Sequence, residues 1–338
     1  MAFITFQPNN YFKTVLYTGN NGAHSITGVG FRPDWIWLKP RNYADHHRLM
    51  DVVRGQYTIY SNRNVAQDAN SSHFTSFDSD GFTLAGSDGG WNSSSYNYVS
   101  WNWRAGNSQG SSNTDGSINT TYTSVNTTAG FSISQYTGTG SAATIGHGLG
   151  AAPDLVIIKS LQQTRIWIVG VEALGNWNKY LALSATDAEQ TSSTYFPSAP
   201  TSTVVNLGDG ANVNNSSENY IAYCFAEKKG FSKFGKYTGN GNGNGTFIYT
   251  GFKPAFVLVK RNEAGYSWGI NDTKRPGYNE TDKYLIPDTT ASEQTNAVDL
   301  VSNGFKFRNS YAEANGGGNR THIYLAFAEQ PFKYSNAR

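Results

Sequence analysis

The sequence has little cysteine, little charge and no long apolar run, and each shortage excludes a class of protein. Cys224 is the only cysteine among 338 residues, so the chain cannot form an internal disulfide. Charged residues make up 15% and the formal net charge is +2, whereas nucleic-acid-binding proteins carry a clear basic excess. No apolar run approaches the ~18 residues of a membrane span, and the opening MAFITFQPNN lacks the pattern of a signal peptide. We therefore expect neither a nucleic-acid partner nor a membrane.

Aromatic and turn-forming residues are abundant instead. Aromatics reach 14%, with 21 tyrosines and 8 tryptophans, and 36 glycines stand among many Asn, Ser and Thr residues. This composition is typical of an all-β protein, and no stretch sustains the 3.6-residue period of an amphipathic helix. The chain is also longer than one ordinary core needs, which predicts more than one domain.

A set of landmarks recurs three times in the same order. Each copy opens with Tyr-Thr-Gly, at Tyr17, Tyr136 and Tyr237. A proline then leads an apolar run closed by lysine, which reads DWIWLK, DLVIIK and AFVLVK in turn, and each copy ends in an aromatic strand. Such recurrence predicts three similar domains.

These landmarks divide the chain into six predicted segments. They are an N-terminal arm (1–12), repeat 1 (13–104), a polar Gly/Ser/Asn/Thr linker (105–130), repeat 2 (131–228), repeat 3 (231–330) and a C-terminal tail (331–338).

The strands can be predicted from their periods. WIWLK and FVLVK are continuous apolar runs, which are typical of strands covered on both faces. The terminal strands alternate bulky and small residues, and superposing them on their first tyrosines aligns Cys224 with Asn102 and Ala328. We expect the bulky side to face the core. The fold predicted is all-β, with three tandem antiparallel β-sandwich repeats of jelly-roll-like type.

Two loop sequences resemble ligand loops but favour turns. GNGNGNG (239–245) is followed by neither Gly-Lys-Ser/Thr nor a helix, and the other copies keep only its first glycine, which favours a tight polar loop over a phosphate cradle. FDSDGF (77–82) has an incomplete set of calcium ligands, and repeat 3 replaces Asp80 with Asn303 while keeping the glycine. We therefore expect no metal and no cofactor.

ADHHRLMD (44–51) holds the densest group of possible ligands, His46, His47 and Asp51. His47 falls where the other copies have Trp167 and Trp268, which favours a half-buried ring over a metal or glycan contact.

Catalytic patterns are weak. Repeat 1 contains no Glu, no pair of carboxylates recurs in all copies, and no G-x-S-x-G elbow is present. Cys224 occupies a slot for a small residue and is not expected to be a nucleophile. The chain is therefore predicted not to be an enzyme.

Carbohydrate binding is the better functional hypothesis, because aromatic rings stack on sugars while loop Asn and Asp residues bind hydroxyls. Trp91 and Trp177 lie among Gly and Asn and are expected in exposed loops. The carbohydrate-binding candidates are Trp91, Trp177, Tyr96, His46 and Asp51. The alternative is that these aromatics cap the core.

Repeat 1 resembles a known family. FRPDWIWLKPR, HHRLMDVVRG, FDSDGFTL and YVSWNWRAG, together with the opening FQPNNYF, are similar to a domain of unknown function in virion structural and tail-fibre-like proteins of marine tailed bacteriophages. The resemblance implies a virion protein, with itself or other virion proteins as partners in a symmetric assembly, and it implies no known active site. Two classes follow: a non-enzymatic fibre, spike or head decoration that adheres to host surface polysaccharide, or a glycan-degrading tailspike. A capsid-stabilising decoration protein without glycan binding is a further alternative.

Overall fold

The computed structural model describes residues 6–263, 265–276 and 279–330, so the predicted C-terminal tail lies outside the described residues. This part of the chain is nearly all β, and the strands of its sheets pair antiparallel. Among the described residues, no helix has the length and apolar character needed to cross a membrane.

The strands of repeat 1 are β1 (Phe12–Thr18), β2 (His24–Ile26), β3 (Trp35–Pro40), β4 (Arg48–Asp51), β5 (Tyr57–Tyr60), β6 (Asp68–Ala69), β7 (Phe74–Asp78), β8 (Gly81–Leu84) and β9 (Asn97–Trp103). The strands that follow, through repeat 2, are β10 (Tyr122–Asn126), β11 (Phe131–Thr137), β12 (Ala143–Gly146), β13 (Leu155–Ser160), β14 (Ile168–Val171), β15 (Lys179–Ala182), β16 (Gln190–Thr191), β17 (Val204–Leu207) and β18 (Asn219–Phe225).

The strands of repeat 3 are β19 (Ser232–Gly239), β20 (Phe247–Tyr249), β21 (Phe256–Arg261), β22 (Trp268–Asp272), β23 (Thr281–Leu285), β24 (Gln294–Val301), β25 (Gly304–Phe307) and β26 (Arg320–Phe327). The helical elements are single turns: 3-10 turns at Pro8–Asn10 and Glu172–Leu174, α1 (Ala211–Asn214) and α2 (Ala312–Asn315).

One strand order recurs in the three large sheets. The orders are β1-β9-β3-β4-β5-β6, then β10-β11-β18-β13-β14-β15-β16, then β19-β26-β21-β22-β23-β24-β25-β20. In each, the last strand of the repeat lies between its first strand and the strand led by the proline. Smaller sheets, β2-β8-β7 and β12-β17, accompany the first two large sheets, and their counterparts in repeat 3 are joined to its large sheet.

The proline-led strands are buried along their whole length because each packs against an apolar core on both of its faces. On β3, Trp37 faces a core shared by all three repeats, whereas Ile36 and Leu38 face a core within repeat 1. The same alternation recurs on β13 and β21. The continuous apolar runs therefore mark strands between two cores, as the prediction of two covered faces requires.

The shared core is defined by buried side chains from three sheets. Its aromatic members are Phe12, Trp35, Trp37, Trp101, Trp103, Phe131, Trp167, Tyr223, Phe225, Phe231, Phe234, Phe256, Trp268 and Phe327.

Pairing along the terminal strands corrects the alignment of repeat 3. Trp37 pairs with Trp101, Ile157 with Tyr223, and Leu258 with Leu325. The counterpart of Tyr223 is therefore Leu325, so the alignment on the first tyrosines is wrong by two residues in this copy.

With this correction, Cys224 matches Asn102 and Ala326, and burial raises its pKa to about 12. The bulky face of these strands packs in the shared core and the small face packs inside each repeat.

The segment 105–130, expected to be a linker, forms part of the second sheet. Residues Tyr122–Asn126 form β10, which covers the edge of β11, and Ile118 makes a parallel bridge to Ile145 on β12. Ile118 is buried in the core of repeat 2. The segment thus closes one open side of this repeat.

The Tyr-Thr-Gly motif recurs because each of its glycines lies against backbone. A Cβ on Gly19 would lie 2.2 Å from the carbonyl oxygen of Ser93, and Gly138 and Gly239 approach Asn215 and Gly316 as closely. No side chain fits at such distances, which explains why this glycine is present in all three copies.

Candidate functional site

The three interfaces between repeats repeat one contact in cyclic order. The backbone N–H of Gln67 in repeat 1 donates to Leu161 in repeat 2 at 3.0 Å. The backbone N–H of Glu189 in repeat 2 donates to the backbone carbonyl of Asn262 in repeat 3 at 2.7 Å. The backbone N–H of Glu293 in repeat 3 donates to the backbone carbonyl of Arg41 in repeat 1, also at 2.7 Å. This third contact closes the ring.

Aromatic rings occupy equivalent places at these interfaces. The Nε1 of Trp167 donates to the carbonyl of Tyr60 in repeat 1, and the Nε1 of Trp268 donates to the carbonyl of Ala182 in repeat 2, both at 2.9 Å. His47 is the third member, and its neighbour in repeat 3 is the backbone of Ile286. The buried Nε2 of His47 has no hydrogen-bond partner among the described residues.

The His47 ring is buried and serves as a packing group. Its Nδ1 accepts a hydrogen bond from the Nε1 of Trp37 at 2.9 Å. Burial, followed by the nearby charge of Lys39, lowers the pKa of His47 well below its usual value. The imidazole is therefore neutral and fills a slot that holds tryptophan in the other two repeats.

Asp51 lies at the centre of an interface and not at a glycan-accessible surface. Its Oδ2 accepts hydrogen bonds from the Nε of Arg54 at 2.6 Å and from the hydroxyl of Tyr223 at 2.7 Å. Burial, followed by the Asp51 carboxylate, raises the pKa of Tyr223, so the phenol stays protonated and donates. Asp51 is fully buried, and the expectation that it contacts a glycan is therefore corrected.

The buried pair of carboxylate and arginine recurs in repeat 3 and is replaced by apolar residues in repeat 2. In repeat 3, Oδ2 of Asp272 accepts from the Nε of Arg275 at 2.6 Å and from the Nε1 of Trp101 at 3.0 Å. In repeat 2 the positions of the carboxylate and the arginine hold Val171 and Leu174, which lie in the shared core. One interface is thus apolar where the other two carry buried ion pairs, which indicates a structural role for the charges.

The lysines that close the proline-led strands are buried at the interfaces. Nζ of Lys39 donates to the carbonyl of Pro40 at 2.9 Å and lies 3.4 Å from that of Thr290 in repeat 3. Nζ of Lys159 donates to the backbone carbonyl of Ser160 at 2.7 Å and to that of Asn64 in repeat 1 at 3.2 Å.

Burial dominates the protonation of these lysines. It lowers the pKa of Lys39 and of Lys159 to about 7 and that of Lys260 to about 8.

Two of the five glycan candidates, Trp91 and His46, contact Arg48, and a third, Tyr96, packs against the core that contains Trp91. The guanidinium lies 5.1 Å from the centre of the Trp91 ring and its Nη1 donates to the carbonyl of His46 at 3.0 Å. Tyr96 lies at the outer side and stacks on Tyr43 with ring centres 4.3 Å apart and planes 13° apart. We call Tyr43 and Tyr96 the tyrosine pair.

The side chains of this group differ in how much of their surface is exposed. Trp91 is only 2% exposed, so the expectation that it stands in an exposed loop is wrong. His46 is half-buried and its Nδ1 is hydrogen-bonded to Asn62 at 2.8 Å. Tyr43 is 38% exposed, and Tyr96 is half-buried beside it. The tyrosine pair therefore holds the accessible aromatic surface of the group.

Trp177 belongs to repeat 2 and is also buried. Its side chain is 4% exposed, its Nε1 donates to Glu172 at 2.6 Å, and its ring meets Phe196 edge-on. The Gly and Asn residues around it predict a loop correctly, but the loop folds inward, so the expected exposure is wrong.

In the two loops that resemble ligand loops, polar side chains are engaged by backbone groups of the protein. The Asp80 carboxylate accepts the backbone N–H groups of Gly28 and Gly30. In the glycine-rich loop, Asn242 donates its N–H to the side chain of Asn240, and the Asn244 N–H goes to Asn242. In the part of the chain that the structure describes, no group of three His, Cys, Asp or Glu residues could hold a metal ion.

Sequence reasoning missed Tyr43 and Arg48. Arg48 stands where repeat 2 has the core residue Ile168, so an alignment of the repeats signals an exception there. Nothing in RNYADHH marks Tyr43, because its stacking on Tyr96 depends on how two distant loops meet. A Cβ on Gly89 would lie 2.9 Å from Tyr43 and 3.2 Å from Tyr96, so this glycine lets both rings pack closely.

Comparison with known proteins gives one result. No curated protein and no solved structure matches the chain. One family matches residues 7–331, and its span covers the three large sheets. The chain therefore belongs to the family described as a domain of unknown function, DUF7483.

Proposed function

We propose that the chain is a non-enzymatic structural protein on the exterior of a bacteriophage particle, either fibre- or spike-like or a head decoration. In this proposal its three repeats are tandem jelly-roll-like sandwiches, and the tyrosine pair adheres to host surface glycan. The observation that carries the proposal is the closed ring of inter-repeat contacts around the shared core. A single chain built this way is a compact body with three similar outer faces, which suits placement in a symmetric particle.

The charged groups of the ring support a structural role. Asp51 and Asp272 are each held by an arginine and by an aromatic donor, and both carboxylates are fully buried. A glycoside hydrolase needs two carboxyl groups flanking the scissile bond with access to the sugar. The ring carboxylates lack that access, which favours adhesion over a tailspike hydrolase.

The tyrosine pair supports glycan adhesion. Its stacked rings offer a flat apolar surface, and exposed Asn42 and Ser95 at its rim can meet sugar hydroxyls. A single shallow contact of this kind is weak, so affinity would come from many copies displayed on one particle.

The test measures adhesion and turnover on the same material. Purified protein is immobilised, host-envelope polysaccharide is passed over it, and retained polymer and released reducing ends are both quantified. We expect retention without reducing ends, and a loss of retention in Tyr43→Ala and Tyr96→Ala. Tyr57→Ala is the control, because Tyr57 is 42% exposed but lies outside the pair.

The alternatives predict other results. Sustained release of reducing ends would overturn adhesion in favour of a tailspike hydrolase. Absence of retention, with the labelled protein seen on the capsid by electron microscopy, would favour a decoration protein without glycan binding.

A further inference from the structure

Two large aromatic side chains stand exposed on one short strand of repeat 3. Strand β20 alternates, so Ile248 packs in the core of the repeat while Phe247 and Tyr249 point outward. Phe247 is 46% exposed and Tyr249 is 62% exposed. Residues two apart on a strand lie about 6.5–7 Å from each other, so the two rings form one strip.

The other repeats carry small residues at these places. Ile248 pairs with Phe305, Ile26 with Phe82, and Ile145 with Val205, which aligns the three strands. The residues that correspond to Phe247 are Ser25 and Thr144, and those that correspond to Tyr249 are Thr27 and Gly146.

In repeat 1 this outer face is closed by polar contacts. The Ser25 and Thr83 hydroxyls are hydrogen-bonded at 3.0 Å, and the Thr83 hydroxyl donates to Asp78 at 2.6 Å. Repeat 1 thus closes this face without an aromatic ring, whereas in repeat 3 the Phe247 ring packs over Gly304 and still leaves much of its surface exposed.

A cation accompanies the aromatic strip. Lys306 pairs with Phe247 in the sheet, so both side chains lie on the same face. The next residue across, Asp299, is engaged by Arg308 at 3.3 Å. Lys306 makes no hydrogen bond or ion pair within residues 6–263, 265–276 and 279–330, so its ammonium group is free to meet an anionic ligand.

We infer that the strip formed by Phe247, Tyr249 and Lys306 binds an acidic polysaccharide, with sugar rings on the two aromatic faces and a carboxylate or sulfate on the ammonium group. Two whole aromatic side chains would cover roughly 300–500 Å², and at 46% and 62% exposure Phe247 and Tyr249 offer about half of that area. A stable protein interface needs about 800 Å² on each side, so the strip is small for a protein partner and adequate for a few sugar units. The inference rests on the proposed glycan adhesion but assigns it a second site on another repeat.

The experiment compares defined polymers and repeat-swapped residues. Binding of the full chain to polygalacturonate and to neutral dextran is measured by affinity electrophoresis. Phe247→Ser with Tyr249→Thr installs the residues of repeat 1, and Lys306→Asn installs the Asn206 of repeat 2. Tyr311→Ser is the control, because Tyr311 is 50% exposed in the same repeat but lies outside β20.

We expect the double variant to lose at least tenfold in affinity for polygalacturonate. Lys306→Asn should also weaken that binding, and it should remove most of its dependence on salt. Tyr311→Ser should bind as the parent does, and the parent should prefer polygalacturonate to dextran.

Three outcomes would overturn the inference. The first is unchanged binding in the double variant and in Lys306→Asn, each with a parental melting temperature. The second is loss of binding only in Tyr43→Ala and Tyr96→Ala, which would leave the proposed function standing and remove this site. The third is a change of oligomeric state in the double variant by sedimentation without a change in polymer binding, which would assign the strip to contact between copies.

Discussion

The hydroxyl of Tyr223 in repeat 2 donates a hydrogen bond to the buried carboxylate of Asp51 in repeat 1, at 2.7 Å. The same carboxylate binds Arg54, so a charge pair and a phenol from two repeats form one buried unit. Where repeat 2 meets repeat 3, the corresponding residues are Val171, Leu174 and Leu325 in the shared core. The chain therefore contains both a polar and an apolar version of one interface.

Removing one partner of the polar version should be severe. We expect Asp51→Ala to lower the free energy of unfolding by about 3–5 kcal/mol, because it leaves the Arg54 guanidinium buried without its carboxylate. Urea unfolding followed by tryptophan fluorescence measures the loss.

Converting the interface to its apolar version is the matched control. Asp51→Val with Arg54→Leu and Tyr223→Leu installs the residues of the other interface, and we expect most of the loss to be recovered. A triple variant as unstable as Asp51→Ala would contradict the equivalence of the two interfaces.

The buried lysines predict that stability rises with pH. Burial lowers the pKa of Lys159 to about 7 in the folded protein, whereas the unfolded chain keeps a pKa near ~10.4. Below pH 7 the lysine is protonated in both the folded and the unfolded state, so the folded state bears the full cost of burying its charge. Between pH 7 and about 10 only the unfolded state holds it, so stability should rise by up to about 1.4 kcal/mol per pH unit for this group.

Urea unfolding at pH 7, 8 and 9 measures that slope. Lys159→Met should reduce the slope of the unfolding free energy against pH by the contribution of one titrating group. Lys236→Met, at an exposed position, should leave the slope unchanged. An unaltered slope in Lys159→Met would show that this lysine is charged in the folded state.

The first glycine of the Tyr-Thr-Gly motif should not tolerate a methyl group. Gly19→Ala places a Cβ 2.2 Å from the Ser93 carbonyl oxygen, so we expect a loss of about 2 kcal/mol or more in the free energy of unfolding. Gly22→Ala is the control, because its nearest atom lies 4.0 Å away. Equal melting temperatures for the two variants would refute the close approach.

The indole contacts across the interfaces predict a difference between two tryptophans. Trp268→Phe deletes a 2.9 Å hydrogen bond and leaves the Ala182 carbonyl buried without it, at a cost of about 1–3 kcal/mol beyond the lost volume. Trp103 is the comparison, because its buried Nε1 has no hydrogen-bond partner. Trp103→Phe should therefore be the milder change, and the reverse order of melting temperatures would count against the interface role.

The sequence predicts the positions of strands and turns better than it predicts which way their side chains face. The run WIWLK predicts a strand covered on both faces, and Trp37 and Leu38 lie in two different cores. Periodicity cannot say that one cover comes from other repeats, because that depends on contacts between residues more than a hundred positions apart. The alignment on tyrosine failed in repeat 3 for a similar reason, since strand pairing sets the register there.

The candidate site was predicted less well, because loop composition does not report exposure. Gly and Asn around Trp91 and Trp177 indicate loops, yet both indoles turn inward and are buried. Conversely, Phe247 and Tyr249 follow a polar loop and look like core residues of a strand. They are exposed because only Ile248 between them faces the core.

The central claim is that three repeats form one closed body around a shared core, and calorimetry of the full chain tests it most directly. Because Trp37, Tyr223 and Phe256 belong to one core, unfolding any repeat exposes apolar surface on the other two. We expect a single transition whose calorimetric enthalpy equals the van't Hoff enthalpy. Two or three separate transitions, with repeats that melt independently, would contradict it.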